Sequence, residues 1–394
     1  MTKGLFATHG IEAMPHVDAG EPVEGSGTGE VTLKRALTAR HLVMLGIGAV
    51  IGAGIFVLTG TAAAQFAGPA LVVSFLMAGF ACALAGLCYA EFAAMLPVSG
   101  SAYSYSYATL GEVVAWFVGW NLVLEYLFAA STVAVGWSGY FNEMLRMISG
   151  WIGVDISLPA ALASAPLTFD ASGHHIIATG TLINLPAVAI VAAISWLCYR
   201  GITQSATVNA VIVAIKVIVI LLFLAVTFHY LNPDLWHPFV PENEGGAKYG
   251  WSGVIRAATL VFFAYIGFDA VSTAAGEAKN PQRDMPIGIL GSLAICTLLY
   301  IAMSAALTGL APYTELNTPE PVATALNYVL GNVPAGSSAS HILGTLKILV
   351  VFAALAGLSS VVLVMLMGQP RIFYSMSRDG LLPPLLGKVH KKHR

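Results

Sequence analysis

Residues 46–56 read GIGAVIGAGIF. Gly46, Gly48, Gly52 and Gly54 crowd a stretch that is otherwise apolar. Glycine weakens a helix interior and lets another group approach the backbone closely. The stretch lies inside an apolar run of spanning length, residues 42–64, so a helix there is expected to break within a membrane. A second run, 252–275, carries FFAYIGFD at 262–269 and is interrupted in the same way. The two interruptions are five spans apart, so they enter the membrane from opposite sides. Interrupted spans at matching positions of two halves point to a transporter site built from unwound helices. An unwound turn frees N–H and C=O groups where no water can satisfy them, and a zwitterionic substrate supplies the missing partners.

Composition sets the surroundings of these two turns. Of 394 residues, 57% are hydrophobic and 10% charged, against about 25% charged in soluble domains. The chain therefore reads as an all-α multi-pass membrane protein. Its 40 glycines suit close helix packing and broken helices. Cys82, Cys88, Cys198 and Cys296 lie in apolar runs without CxxC spacing, which argues against a disulfide or zinc framework. The first thirty residues lack an apolar core, so no cleavable signal peptide is expected.

Apolar runs of spanning length fall near 42–64, 69–92, 105–140, 182–200, 206–231, 252–275, 287–310 and 342–375. Residues 1–29 read as a disordered tail, 30–41 (EVTLKRALTARH) as an interfacial helix, 42–387 as the transmembrane unit, and 388–394 as a basic tail. With the N-terminus in the cytoplasm, the inner segments carry most of the Lys and Arg, whereas the outer loops carry only Arg146 and Lys248. This asymmetry sets the orientation. The long connections at 141–181 and 310–341 are expected to form short helices or lids. Arg256 and Lys347 stand near the outer ends of their spans and can snorkel.

One charge does not fit a lipid-facing helix. Lys216 is the sole charge in VNAVIVAIKVIVILLFLAV, residues 208–226. Its ammonium starts about 12–15 Å from either helix end. A charge at that depth costs roughly 2.5–3.5 kcal/mol on insertion scales. Four methylenes cover only about half the distance to the interface. Groups inside the protein must hold it, and its proton is a candidate moving part.

Four motifs together resemble the amino acid–polyamine–organocation transporters, in particular the bacterial branch similar to cationic amino acid transporters. They are GIGAVIGAGIF (46–56), AEFAAMLPVSGSAYSY (90–105), FFAYIGFDAVSTAAGEAKNPQRDMPIGI (262–289) and GQPRIFYSMSRDGLLP (368–383). The resemblance implies a fold of two inverted repeats of five helices, with helices 1 and 6 discontinuous. The chain ends after the eighth helix, so it is expected to be a truncated form lacking the C-terminal helices of the second repeat. That leaves a non-transporting membrane scaffold as an alternative of another class.

The resemblance also implies roles for individual residues. Gly52, Ala53 and Gly54 would offer N–H groups to a substrate carboxylate; the plainer reading is small-residue packing. Phe263, Ala264 and Ile266 would take the substrate amino group on their carbonyls, and Phe268 would cover it as a gate. Met365 would shorten the pocket and favour a small neutral substrate. Lys216 matches a lysine of proton-coupled relatives, in the place where sodium-coupled cousins hold sodium. Its expected contacts are the carbonyls of Gly48 and Ile51 and the hydroxyls of Ser359 and Ser360. Asp269 and Glu125 are either parts of the coupling machinery or structural hydrogen-bonding groups.

The expected function is secondary active, proton-coupled uptake of a small neutral amino acid by alternating access in the cell membrane. A cationic amino acid transporter or exchanger is the alternative. Nothing in the sequence points to an enzyme: there is no GxxxxGK[ST], and no histidine stands mid-span. No metal, cofactor or nucleic acid is implied; the partners are the amino acid, protons and lipid.

Overall fold

The computed structural model describes residues 37–96, 101–169, 176–199 and 206–388. The expected tail at 1–29, the 30–36 part of the interfacial helix and the 389–394 part of the basic tail lie outside the described residues. Among the described residues, eight helical passes follow one another. The first is Ala39–Val50, resuming at Gly54. The second is Leu71–Met95, the third Glu112–Ile152, the fourth Leu185–Tyr199 and the fifth Ala206–Thr227. The sixth is Gly250–Phe262, continued by 3₁₀ turns to Glu277. The seventh is Pro281–Leu310 and the eighth Ser338–Arg378. Among the described residues, six helical stretches are long and apolar enough to cross a membrane; Ala39–Val50 and Leu185–Tyr199 are apolar but shorter.

The second pass shows why these segments are helices of a bilayer. Ser74, Phe75, Ala78 and Cys82 are buried, while Leu76, Phe80, Leu84 and Leu87 are exposed on the other side. Water would not tolerate that exposed stripe, whereas lipid does. Inside, small residues let backbones meet: a Cβ at Gly79 would touch Thr297 of the seventh pass at 2.9 Å.

One expectation is corrected here. The run at 105–140 is not one span. Ser101–Thr109 forms its own helix, and the third pass starts at Glu112 after Gly111, whose φ is +92°. A positive φ there ends the polar, Tyr- and Ser-rich segment before the apolar helix begins. The long connection after the third pass carries the short helix Ala160–Ala163, and beside it Leu167–Phe169 pairs antiparallel with Ile176–Ala178. The other long connection carries the turn Tyr313–Leu316 and the helix Pro321–Gly331. This face of the molecule, called the long-loop face below, is packed tightly. A Cβ at Gly60 would collide with the Leu316 carbonyl and with Pro321, and one at Gly139 with Pro319 and Glu320.

Candidate functional site

The site forms where the two interrupted passes lie side by side. The first helix ends at Val50; Ile51 is extended (φ −74°, ψ 98°), and the chain turns helical again from Gly54. The sixth breaks at Ile266 (φ −53°, ψ 132°) and Gly267 (φ +114°). Gly267 is required twice over. Its φ is one that side-chain-bearing residues avoid, and a Cβ would sit 2.9 Å from the backbone of Ala49. The methyl of Ala264 likewise occupies the place where a Cβ on Gly54 would go.

A tyrosine that the sequence reading missed ties the two breaks together. Tyr300 of the seventh pass is fully buried. Its hydroxyl lies 2.8 Å from the Val50 carbonyl and 2.7 Å from that of Ala264. With one proton it donates to one of them at a time. Tyr140 does similar work from the third pass, donating to the Phe56 carbonyl at 2.7 Å. The available signal was a tyrosine within an apolar run, because a buried phenol needs a partner.

Between the breaks lies a small cavity. Gly52, Ala53 and Gly54 form one wall and Phe263, Ala264 and Ile266 another. Ala129 and Val133 of the third pass, with Val361 and Met365 of the eighth, close the remaining sides. No charged side chain lines it. The helix resuming at Gly54 has leading N–H groups without carbonyl partners inside the helix, which favours an anionic group there. On the opposite wall the Phe263 carbonyl accepts from the Ile266 N–H at 3.1 Å, and that of Ala264 faces Tyr300. Each carbonyl keeps a second lone pair. Phe268, expected as a gate, does not line the cavity; its ring meets Tyr89 edge-on at 5.4 Å. The turn at Gly267 carries it onto the second pass.

Lys216 lies behind the first-pass break. Its side chain is buried, and Nζ donates to Gly48 O (3.1 Å), Ile51 O (3.1 Å) and Ser360 Oγ (3.2 Å). Ser359 is not a partner. It sits about 100° further round the eighth helix, and its hydroxyl donates to Leu355 O at 2.7 Å. None of the ion pairs among the described residues includes Lys216. Asp269, just past the sixth-pass break, accepts from Tyr126 Oη at 3.0 Å on one oxygen; its other oxygen has no hydrogen-bond partner among the described residues. Glu125 precedes Tyr126 on the third pass and is half-buried. Neither carboxylate lines the cavity.

The long-loop face holds a second charged group that sequence reading did not assemble. Lys347 does not simply snorkel: it pairs with Glu143 at 2.5 Å. Arg146 contacts Glu143 at 3.1 Å and Glu320 at 2.6 Å. Four charges thus join the third pass, the eighth pass and the start of the Pro321–Gly331 helix. Burial pushes the Glu320 carboxyl above the ordinary glutamate range, against the pull of Arg146.

Two discontinuous helices around a small uncharged cavity, in a bundle of apolar passes, define a membrane transporter with broken first and sixth helices. Its fold is similar to that of MhsT in complex with L-phenylalanine, with a TM-score of 0.55 at 14% identity, over 90% of this chain and 78% of that one. The chain belongs to the amino acid permease family, whose model matches residues 37–394. It is 48% identical over 359 residues to the methylthioribose transporter of Bacillus subtilis (strain 168), covering 91% of this chain and 70% of that protein. It is also 48% identical over 368 residues to the branched-chain amino acid permease BcaP of the same organism, covering 93% and 72%. Cationic amino acid transporter 9, chloroplastic, of Arabidopsis thaliana is more distant, at 37% over 360 residues, covering 91% and 58%. These relatives are transporters, not enzymes.

Proposed function

We propose that this permease takes up a neutral amino acid with a small to medium aliphatic side chain, by alternating access coupled to protons. The observation that carries the substrate class is the uncharged end of the cavity, made by Ala129, Val133, Val361 and Met365. A guanidinium or ammonium side chain would find no anion there, and an unpaired buried charge is costly. The two 48% identical relatives, named for branched-chain amino acids and for methylthioribose, fit an apolar substrate portion better than a cationic one. Substrate carboxylate meets the N–H groups at Gly52, Ala53 and Gly54, and its amino group meets the carbonyls of Phe263, Ala264 and Ile266. Lys216 stands for a bound cation, and its proton is the coupling ion; Asp269 and Glu125 belong to the same pathway. The protein works in the cell membrane with its N-terminus in the cytoplasm.

The test is a thermal-shift screen of the purified protein against single amino acids. A ligand at a hundred times its Kd stabilises by about 2.7 kcal/mol. Valine, leucine, isoleucine or methionine is expected to raise the midpoint, with arginine and lysine silent. Stabilisation by arginine or lysine alone would overturn the substrate class, and none by any amino acid would favour the scaffold alternative.

A further inference from the structure

Gly357 lies in the middle of the eighth helix, where a glycine weakens the helix relative to alanine. Its place is filled by something other than its own side chain. A Cβ there would lie 2.7 Å from Cδ of Lys216 and 3.4 Å from its Cγ, with Phe56 Cε2 next at 3.7 Å. The stem of Lys216 therefore runs directly across the bare backbone of Gly357. The same turn of helix supplies the hydroxyl partner: Ser360 Oγ accepts from Lys216 Nζ at 3.2 Å and donates to the Gly357 carbonyl at 2.8 Å. Gly357 thus adjoins both the stem of the lysine and one of its three acceptors. The other two acceptors, the carbonyls of Gly48 and Ile51, belong to the first pass. A stem pushed away from the eighth helix cannot keep all three.

We infer that Gly357 is a positioning residue for Lys216: its missing side chain is the slot in which the lysine stem lies, and this sets the ammonium between the first and eighth helices. Phe56, which is fully buried, also borders the slot, its Cε2 lying 3.7 Å from the position of that Cβ. A methyl at 357 meets Cδ well inside ordinary van der Waals contact, so the lysine stem and the eighth helix cannot both keep their places. The consequence for coupling rests on the role proposed for Lys216 above, whereas the slot itself does not.

A double-mutant cycle separates the two. Gly357→Ala in the otherwise wild-type chain is expected to lower the thermal midpoint and to remove most of the dependence of substrate uptake on an imposed proton gradient. In the Lys216→Ala background the slot is empty, so the same glycine substitution is expected to leave the midpoint unchanged or raise it, because alanine is the better helix former. That reversal of sign is the signature of a slot. Equal destabilisation in both backgrounds would overturn the inference, as would a G357A protein with wild-type midpoint and wild-type gradient dependence. If G357A alone fails to fold, recovery of folded protein in the G357A/K216A double variant supports the slot, and failure of the double variant overturns it. Should Lys216→Ala leave gradient-driven uptake intact, the coupling role of the lysine falls while the midpoint cycle still decides the position of Gly357.

Discussion

The protein holds two of its lysines by opposite means. Lys347, on the long-loop face, lies 2.5 Å from Glu143, and Arg146 and Glu320 complete a group of two positive and two negative side chains. Lys216, midway along the fifth helix, donates only to two carbonyls and a hydroxyl among the described residues. The exposures differ as well: the Lys347 side chain is 16% exposed, whereas Lys216 is 1% exposed. A lysine paired with a carboxylate cannot give up its proton without leaving a buried anion unpaired, which is expensive. A lysine held by dipoles leaves nothing charged behind. The first arrangement suits a fixed staple between the third pass, the eighth pass and the connecting helix. The second suits a group whose charge changes during a cycle.

The largest expected effect breaks this comparison at its buried end. Lys216→Met keeps the length of the stem and removes the ammonium. Accumulation driven by a proton gradient should fall from about tenfold per pH unit for a one-to-one symporter, the equivalent of about 1.4 kcal/mol, to no accumulation. The thermal midpoint should barely move, because relief from burying a charge opposes the loss of three hydrogen bonds worth about 1 kcal/mol each. Uptake of labelled substrate under an imposed pH gradient and a thermal melt read the two outcomes separately. Glu143→Gln is the mirror case. It removes the anion that both Lys347 and Arg146 contact, and should cost about 1–3 kcal/mol of stability, below the full price of breaking a buried pair because the Arg146 side chain is 56% exposed. Gradient dependence should be preserved.

The smallest effect sharpens the description of the staple itself. Burial holds folded Glu320 above the ordinary glutamate range, so its ionised form weighs against the fold at neutral pH. A raised pKa means that the group's stabilising contribution is present below the unfolded value, about 4.3, and is lost as pH rises through the folded value. Glu320→Gln should therefore match or exceed the wild-type midpoint at pH 7, by less than about 1 kcal/mol. The advantage should disappear as the pH falls toward 4. A large loss at pH 7 would make Glu320 as essential to the staple as Glu143.

Much of this contrast was legible in the sequence, though unevenly. The interruption of the first and sixth passes was visible because glycine at 46, 48, 52, 54 and 267 is a local signal of backbone. Lys216 was visible because a charge amid apolar residues has no ordinary explanation. Its acceptors were resolved only to the level of a turn: Ser359 and Ser360 differ by one step of helix phase, and only the packed bundle selects Ser360. The place of the Phe268 ring was not legible, because the direction in which a chain leaves a positive-φ glycine depends on the neighbours it meets, here Tyr89. The charged staple was illegible for a different reason. Arg146 and Glu320 are 174 positions apart, and each looks like an ordinary residue at a helix end. Tyr300 stood in between: a phenol in an apolar run announces that it needs a partner, but not that it lies within reach of both broken helices.

The central claim is that Lys216 carries the moving proton because nothing anionic holds it. Its most direct test is to reconstitute the protein in vesicles enclosing a pH-sensitive dye and to add a transported aliphatic amino acid without an imposed gradient. The wild-type protein should acidify the lumen as substrate enters, and Lys216→Met should leave the dye unchanged under the same substrate load. Substrate entry without any proton movement in the wild type, or equal acidification by Lys216→Met, would contradict it.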